Sequence, residues 1–242
     1  MHLSSAKILH QWALSSGDAI GVQSFHFDTE MAALASGVTG DVLQIGSRAS
    51  VIDTQAPWRK LFAHCNFTGM DLQAGTNVDV VADITASASD LRRRLKVKAF
   101  DAILCRHVLE HVAAPWEAAR NIKFLLKPGG LLFVTVPWVQ GYHEFPHDYW
   151  RMSFAGLKAL FPGFEWTLEF YTGDREEEGF RLLWNGQPEH SERTLRIERN
   201  LFQFAIDQAP DQDMFDDHPG KKIHLSKFYM PACSVNLVGR RI

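Results

Sequence analysis

Short apolar runs alternate with amphipathic segments along the middle of the chain. The runs have strand length, and the segments between them carry apolar residues at helical spacing. This pattern predicts strands over residues 41–45, 67–72, 78–82, 100–105 and 131–136, with helices over residues 53–64, over residues 91–98 and from Pro115 onward. Strands and helices in alternation build right-handed βαβ units around a parallel sheet that is covered on both faces.

The two ends of the chain follow other patterns. Residues 1–39 are predicted to form one or two helices that end at Gly37 and Gly40. In the C-terminal third, the pattern predicts a strand over residues 164–171, an irregular polar stretch over 173–191, a helix over 192–208, a loop over 209–222 and a last strand over 234–238. A strand that leaves the sheet and a strand that returns after a long excursion predict an antiparallel edge hairpin.

These elements together predict an α/β fold. We expect a doubly wound, mostly parallel, seven-stranded sheet with an antiparallel edge hairpin. The predicted organisation is an N-terminal helical lid over residues 1–39, a ligand-binding α/β domain over 40–172, an insertion or cap over 173–232 and the last strand of the sheet over 233–242.

Composition and charge restrict the class of partner. The chain has 242 residues, a formal net charge of -3, and one dense basic run near residues 92–98 that we interpret as the solvated face of a helix. Its three cysteines form no CxxC pair, no apolar run is long enough to cross a membrane, and the N-terminus lacks the apolar core of a signal peptide. We therefore expect a cytoplasmic monomer or homodimer that binds neither nucleic acid nor membrane.

The ends of the first two predicted strands indicate a nucleoside ligand. Gly46 follows the first strand and lets the backbone approach a ligand closely, and Asp71 ends the second strand, where a carboxylate can accept hydrogen bonds from both hydroxyls of a ribose. A dinucleotide site would need the pattern G-x-G-x-x-G, whereas Gly46 is followed by Ser47, Arg48, Ala49 and Ser50. A nucleoside ligand without phosphates, such as S-adenosylmethionine, suits this turn better.

Six segments carry a resemblance to a known family. They are VLQIGS (42–47), MDL (70–72), ADIT (82–85), FDAILCRHVLEHV (100–112), LLKPGGLLFVTVP (125–137) and HEFPHDYWRMS (143–153). In this order and spacing they resemble the class I S-adenosylmethionine-dependent methyltransferases, in particular the group called methyltransferase type 11. The resemblance implies the Rossmann-like methyltransferase fold and S-adenosylmethionine as the cofactor.

The resemblance also implies a set of cofactor-binding positions at the strand ends. Those expected at the methionine part are Gln44, Gly46, Ser47 and Arg48; at the ribose and adenine, Asp71, Leu72, Asp83 and Ile84; and at the sulfonium, Arg106 and His107. One position departs from the family pattern. The family usually has an acid two residues before the first glycine, whereas Gln44 carries no charge to attract the ammonium group of the cofactor.

The segment after the fifth predicted strand is the candidate acceptor side. It is rich in aromatic and histidine side chains, and methyl transfer needs a base only when the acceptor must lose a proton. We predict His147 or His143 as that base, with Tyr142 as a further catalytic candidate. In a structural alternative, Asp148 and Arg151 pin this loop, because the segment resembles a D-Y-x-R signature of the family.

A metal site is the other reading of the histidines. His107 and His111 are four residues apart and would share one face of a helix, where residues 143–148 could join them. The motif around His111 also occurs in methyltransferases whose chemistry uses no metal, so the sequence-based prediction is that no metal is bound.

The predicted function is methyl transfer from S-adenosylmethionine to an oxygen, nitrogen or sulfur atom of a small molecule. A first alternative is an enzyme of the same fold that uses the cofactor without transferring methyl, by intramolecular cyclisation or by release of methylthioadenosine. A second alternative is a non-catalytic binding module.

Overall fold

The computed structural model describes residues 20–49, 58–143, 147–173, 178–184, 187–188 and 233–242. The strands are β1 (Ile20–His26), β2 (Asp41–Ile45), β3 (Asn66–Asp71), β4 (Val80–Val81), β5 (Phe100–Arg106), β6 (Leu126–Val139), β7 (Phe164–Gly173), β8 (Glu178–Trp184), β9 (Gln187–Pro188) and β10 (Cys233–Arg241). The helices are α1 (Phe27–Ser36), α2 (Trp58–Leu61), α3 (Ala88–Leu95), α4 (Pro115–Leu125) and α5 (Phe154–Leu160), with a 3-10 turn at Leu109–His111.

Seven strands form the centre of one sheet in the order β4-β3-β2-β5-β6-β10-β7. Neighbouring strands from β4 to β6 are parallel, and β10 lies antiparallel between β6 and β7. The order reverses between β2 and β5, and an open sheet binds its ligands at such a point. The predicted doubly wound, seven-stranded sheet with an antiparallel hairpin is therefore confirmed.

Helices cover both faces of this sheet. On one face α3, α4 and α5 bury Leu91, Ile122 and Leu157, and on the other α1 and α2 bury Met31 and Trp58. The central strands β2, β5 and β6 are largely closed to water on both sides, which explains why their sequences contain continuous apolar runs. No helix among the described residues is both long and apolar enough to cross a membrane.

A buried polar side chain fixes the antiparallel strand in register. Asn236 of β10 accepts a hydrogen bond from the Thr135 hydroxyl of β6 (2.8 Å), and its amide donates to the Thr172 hydroxyl of β7 (3.1 Å). All three side chains are fully or almost fully buried. A register shift would leave these groups without partners in the core, so the network selects one alignment of the three strands.

Two predictions for the flanking segments are wrong. The helical prediction for residues 1–39 fails at Ile20–His26, which is strand β1, although α1 is confirmed. The irregular prediction for residues 173–191 fails at Glu178–Trp184, which is strand β8. These strands pair with each other, and β8 also pairs with β7, so they extend the sheet beyond the predicted edge. Strand β1 and its partner β8 are distant in sequence, and strand formation depends on such a partner more than on local preference.

The remaining differences concern the bounds of elements: β4 is shorter than its predicted strand, and β6 and β10 are longer than theirs. Helix α3 begins three residues before the predicted start, because the Ser87 hydroxyl accepts a hydrogen bond from the Asp90 backbone N–H and caps the helix there. Of the helix predicted over residues 53–64, the described part forms α2 at Trp58–Leu61. The predicted helix over 192–208 and loop over 209–222, and the first 19 residues of the predicted lid, lie outside the described residues.

Candidate active site

A cavity of about 330 Å³ opens at the carboxyl ends of β2, β3 and β5, where the strand order reverses. Its walls are the strand ends and the turns that follow them. The lining residues are Ile45, Gly46, Arg48, Met70, Asp71, Leu72, Gln73, Ala82, Asp83, Ile84, His107, Val108, His111 and Val112. Seven of the predicted cofactor-binding residues are among them: Gly46, Arg48, Asp71, Leu72, Asp83, Ile84 and His107.

Gly46 makes the turn at the base of the cavity possible. Its φ is +73°, and a Cβ atom there would lie 2.4 Å from Cγ2 of Val108. The backbone N–H groups of Gly46 and Ser47 both donate to the carbonyl of Met70 (2.9 and 3.1 Å), which holds the turn against β3. A glycine is required here by the left-handed backbone and by the opposite wall of the cavity itself.

Asp71 presents a fixed carboxylate at the end of β3. One oxygen accepts the backbone N–H of Arg48 (3.1 Å) and the other accepts the backbone N–H of Gln73 (3.0 Å). The guanidinium of Arg48 donates to the Gln73 side chain (2.8 Å), which ties the two flanking loops together. Each carboxylate oxygen has a second lone pair, so Asp71 can still accept two hydroxyl donors from the cavity.

The loop that follows β4 lines another part of the cavity and is fixed by hydrogen bonds. Asp83 accepts hydrogen bonds from both the backbone N–H and the hydroxyl of Thr85 (2.8 and 2.7 Å), which fixes its carboxylate beside the buried Ile84. The buried Asn121 of α4 donates to the carbonyls of Ile84 (2.7 Å) and Ala86 (2.8 Å). Sequence reasoning missed Asn121, whose one signal is a polar residue on the buried face of an amphipathic helix.

Two histidines form part of the cavity wall. His107 precedes the 3-10 turn and His111 is its last residue, and both line the cavity. His107 has a φ of +51°, a conformation that non-glycine residues adopt rarely and that is found preferentially at functional sites. The fully buried carboxylate of Glu110 lies between them, with its Oε1 3.4 Å from Nδ1 of His107 and 3.8 Å from Nε2 of His111.

Three residues predicted for the cofactor do not line the cavity. The Ser47 side chain points towards Gly69, where the absence of a Cβ atom leaves space for it. Gln44 and Ser47 each have a buried side-chain oxygen without a hydrogen-bond partner among the described residues. The guanidinium of Arg106 lies 5.1 Å from the rings of both Phe27 and Trp58, on the face of the sheet that α1 and α2 cover. The aromatic rings stabilise that cation in place.

An ion pair pins the loop after β6, of which residues 140–143 and 147–153 are described. Arg151 donates two hydrogen bonds to the carboxylate of Asp148 (2.5 and 2.6 Å), and it also donates to the carbonyls of Gln140 (3.3 Å) and Gly141 (3.1 Å). The Arg151 guanidinium and, to a smaller extent, the backbone N–H of His143 hold the pKa of Asp148 far below its usual range. The structural role considered for Asp148 and Arg151 is therefore confirmed.

The three predicted catalytic residues occupy different positions on this loop. The ring of His143 makes an edge contact with that of His111, at 4.9 Å between centroids, so it lies beside the cavity wall. His147 and Tyr142 are exposed and do not line the cavity, although the carbonyl of His147 accepts a hydrogen bond from Nδ1 of His111 (2.6 Å). Of the three predicted side chains, the structure brings His143 closest to the wall.

The lining of the cavity fits an adenosyl group. Asp71 offers the acceptor that a ribose needs, and apolar side chains from Met70, Leu72 and Ile84 flank it as an adenine ring requires. Arg48 is the single cationic side chain of Lys or Arg type among the lining residues, and Gln73 already accepts from it, so the cavity has no built phosphate cradle. The tight turn at Gly46 adds the close backbone approach.

The family comparison agrees with this geometry. Residues 30–174 match the profile of a family described as a methyltransferase domain, which is more than half of the chain. No curated protein sequence matches the chain.

Among similar solved structures are two N-methyltransferases and a cyclase. NodS from Bradyrhizobium japonicum WM9, with S-adenosyl-l-homocysteine bound, is 17% identical over 74% of this chain and 96% of that chain, with a TM-score of 0.44. Coclaurine N-methyltransferase, bound to N-methylheliamine and SAH, is 16% identical over 88% and 72%, with a TM-score of 0.49. The cyclase SpnF is 14% identical over 99% and 97%, with a TM-score of 0.46. At such values these structures show a similar fold, and family membership rests on the match over residues 30–174.

Proposed function

The chain belongs to the class I S-adenosylmethionine-dependent methyltransferases, and from this premise we propose that it methylates an oxygen, nitrogen or sulfur atom of a small molecule. The predicted cofactor, S-adenosylmethionine, is thereby confirmed for the family. The observation that carries the proposal is the cavity at the switch point of the sheet, with the Asp71 carboxylate fixed in its wall.

Each wall of the cavity has a part in holding the cofactor. Asp71 accepts hydrogen bonds from the two ribose hydroxyls, and Asp83 accepts one from the amino group of the adenine. Leu72 and Ile84 pack against the adenine ring. His107 and the turn at Gly46 enclose the remainder. When bound, S-adenosylmethionine supplies a methyl group on an electrophilic sulfonium. The work left to the chain is to align the acceptor with that methyl group and to exclude water.

The acceptor side is assigned to the loop after β6. Its ion pair between Asp148 and Arg151 holds His143 against His111, which is part of the cavity wall. Side chains that an ion pair holds next to the reacting atoms supply alignment, the main contribution a protein makes to this reaction. Of the three predicted catalytic residues, His143 is the one we place next to the acceptor, and the exposed His147 and Tyr142 are left outside it.

A small acceptor agrees with the charge of the chain. The net charge is -3, and the basic residues of α3 are exposed on one helix, where Arg93 and Arg94 pair with Asp90. A nucleic-acid substrate would call for a basic surface around the cavity, and among the lining residues Arg48 is the one arginine or lysine.

Binding and product analysis test this function. Titration calorimetry with S-adenosylhomocysteine should give one site, and Asp71→Ala should weaken the affinity about 30-fold or more, because two hydrogen bonds to a charged acceptor are lost. Asp90→Ala, which removes a partly exposed carboxylate that does not line the cavity, is the matched control and should bind as the parent does. Equal affinity of Asp71→Ala and the parent would contradict the proposal.

The products separate the alternatives. Incubation with methyl-labelled S-adenosylmethionine and a panel of small hydroxyl, amine and thiol acceptors should yield S-adenosylhomocysteine and a labelled acceptor. Methylthioadenosine as the product would instead identify an enzyme that uses the cofactor without methyl transfer. Tight cofactor binding without turnover of any acceptor would support a binding module.

A further inference from the structure

A fully buried carboxylate, that of Glu110, stands at the edge of the cavity without a hydrogen bond from the described part of the chain. Neither side-chain oxygen of Glu110 accepts one from the described residues, although imidazole nitrogens of His107 and His111 lie within 4 Å of Oε1. A buried carboxylate is strongly unfavourable unless a positive charge or donors face it. The position of Glu110 therefore calls for a cation.

Glu110, His111 and His143 bring three metal-donor atoms together. One donor atom from each residue lies within 4.8 Å of the others. Donors bound at about 2.1 Å to one ion are at most about 4.2 Å apart, so side-chain shifts of under about 1 Å close the site. His143 reaches it from the loop after β6, and Glu110 and His111 reach it from the 3-10 turn.

The other nitrogens of the two rings are engaged as in known metal sites. Nδ1 of His111 donates to the carbonyl of His147 (2.6 Å), and Nδ1 of His143 faces Oδ2 of Asp148 (3.3 Å) and the carbonyl of Gly141 (3.3 Å). Histidines that ligate metals usually donate their second N–H to a carbonyl or carboxylate, which leaves the lone pair on the first nitrogen. Here that lone pair is on Nε2 of each ring.

An ion pair holds the carboxylate behind His143 in place. Arg151 donates two hydrogen bonds to Asp148, whose side chain is almost fully buried and accepts the backbone N–H of His143 (2.9 Å). A histidine whose surroundings are fixed in this way is oriented for metal binding. The same ion pair that pins the loop therefore also prepares a ligand.

We propose that Glu110, His111 and His143 bind a divalent transition-metal ion beside the cofactor cavity. Two imidazoles and one carboxylate are a donor set that suits zinc, cobalt or iron and does not suit magnesium, which prefers oxygen ligands. This site departs from the sequence-based prediction that no metal is bound. With three protein ligands, the ion keeps at least one open position, as catalytic zinc ions do.

The site narrows the class of acceptor, and this step rests on the proposed function. Because His111 also lines the cavity, the ion lies at the acceptor side, where its open position can take an acceptor oxygen or nitrogen. A metal ion lowers the pKa of a bound hydroxyl, so a hydroxyl acceptor can be bound deprotonated without a histidine base. The acceptor class is accordingly a small molecule with a metal-binding hydroxyl group.

Cobalt titration tests the site without any cofactor. The full chain, stripped with a chelator, should bind one equivalent of Co²⁺ with visible absorption bands of a low-coordinate site. His143→Ala should weaken Co²⁺ binding at least about tenfold, the lower bound for changes around metal ligands. His26→Ala, which removes an exposed histidine outside the cluster, is the matched control and should leave the titration unchanged.

Binding of S-adenosylhomocysteine checks that each variant is folded, because His143 does not line the cavity. Glu110→Gln tests the buried ligand in the same way, but His143→Ala decides, since its loop position tolerates the change. Absence of a Co²⁺ site in the parent, or equal affinity of His143→Ala and the parent, would overturn the proposal. Full methyl transfer by the stripped chain would overturn the acceptor role alone, while a Co²⁺ site without any methyl product would count against the proposed function alone.

Discussion

The two ends of the cavity are built in different ways. At the nucleoside end, the functional groups lie within three residues of a strand end, and backbone N–H groups near strand ends hold them, as for Asp71. At the acceptor end, the 3-10 turn and the loop after β6 contact each other, as when the His111 ring donates to the carbonyl of His147. The first end is built mainly from strand ends that meet at one edge of the sheet, and the second is built from two segments outside the sheet.

This difference agrees with a division of labour within the fold. A cofactor shared by a whole family can be bound by strand ends that any doubly wound sheet supplies at its switch point. An acceptor peculiar to one enzyme needs a surface that varies, and a loop pinned by an ion pair can vary without disturbing the sheet. Substitutions at the two ends should therefore separate cofactor affinity from acceptor turnover.

Gly46→Ala is expected to have the largest effect. The left-handed backbone at Gly46 and the contact of the new Cβ with Val108 together should lower the free energy of unfolding by about 3 kcal/mol and weaken S-adenosylhomocysteine binding at least about tenfold. Gly129→Ala is the matched control, because Gly129 has a φ of +74° and nothing within 4 Å of the added Cβ. It should lose about 1 kcal/mol and keep its affinity. Equal losses in chemical denaturation would show that the wall contact is unimportant.

Arg151→Met breaks the acceptor end and should spare the cofactor end. The substitution leaves the almost fully buried Asp148 carboxylate without its cation, so the free energy of unfolding should fall by about 2 kcal/mol. We expect acceptor kcat/KM to fall about tenfold, with S-adenosylhomocysteine affinity within about twofold of the parent. Arg93→Met, which removes an exposed arginine of α3, should change neither quantity. A parallel loss of cofactor affinity would mean that the two ends are not separable.

The smallest effect concerns a carboxylate away from both ends. Asp101 accepts hydrogen bonds from Nζ of Lys127 and the backbone N–H of Asp41, each at 2.8 Å. Desolvation alone would raise the pKa of Asp101, but these two donors outweigh it and lower the pKa below its ordinary value. The stabilisation is therefore present above the pKa of the unfolded chain, about 3.9, and is lost as the pH falls through the lower folded value.

Denaturant unfolding at about pH 6 and about pH 3 measures this loss. The free energy of unfolding of the parent should fall by up to about 1 kcal/mol more than that of Asp101→Asn, since the pair is partly exposed. Cofactor affinity at neutral pH should be the same in both, because Asp101 lies near the start of β5, away from the cavity. A parent that shows no greater acid sensitivity than the variant would show that the pair adds nothing to stability.

Long-range pairing explains where the sequence-based predictions stopped. The central strands could be predicted because a strand buried on both faces has a continuous apolar run in its sequence. The helices between them could be predicted because their apolar residues recur at helical spacing. Strands β1 and β8 could not, because they pair mainly with each other and lie far apart in the chain. Arg106 was predicted at the sulfonium but lies against Phe27 and Trp58, since the residue order does not reveal which face a side chain at a strand end will take.

The sequence by itself determined the order of the central elements, the turn at Gly46 and the carboxylate of Asp71, because these depend on local periodicity and on residues at strand ends. The tertiary structure alone decided how the histidines meet. His111 and His143 lie on segments separated by α4 and β6, and their contact exists because Arg151 pins the loop through Asp148. Local patterns record which face of an element is buried, but the partner that covers that face is chosen only when distant segments pack.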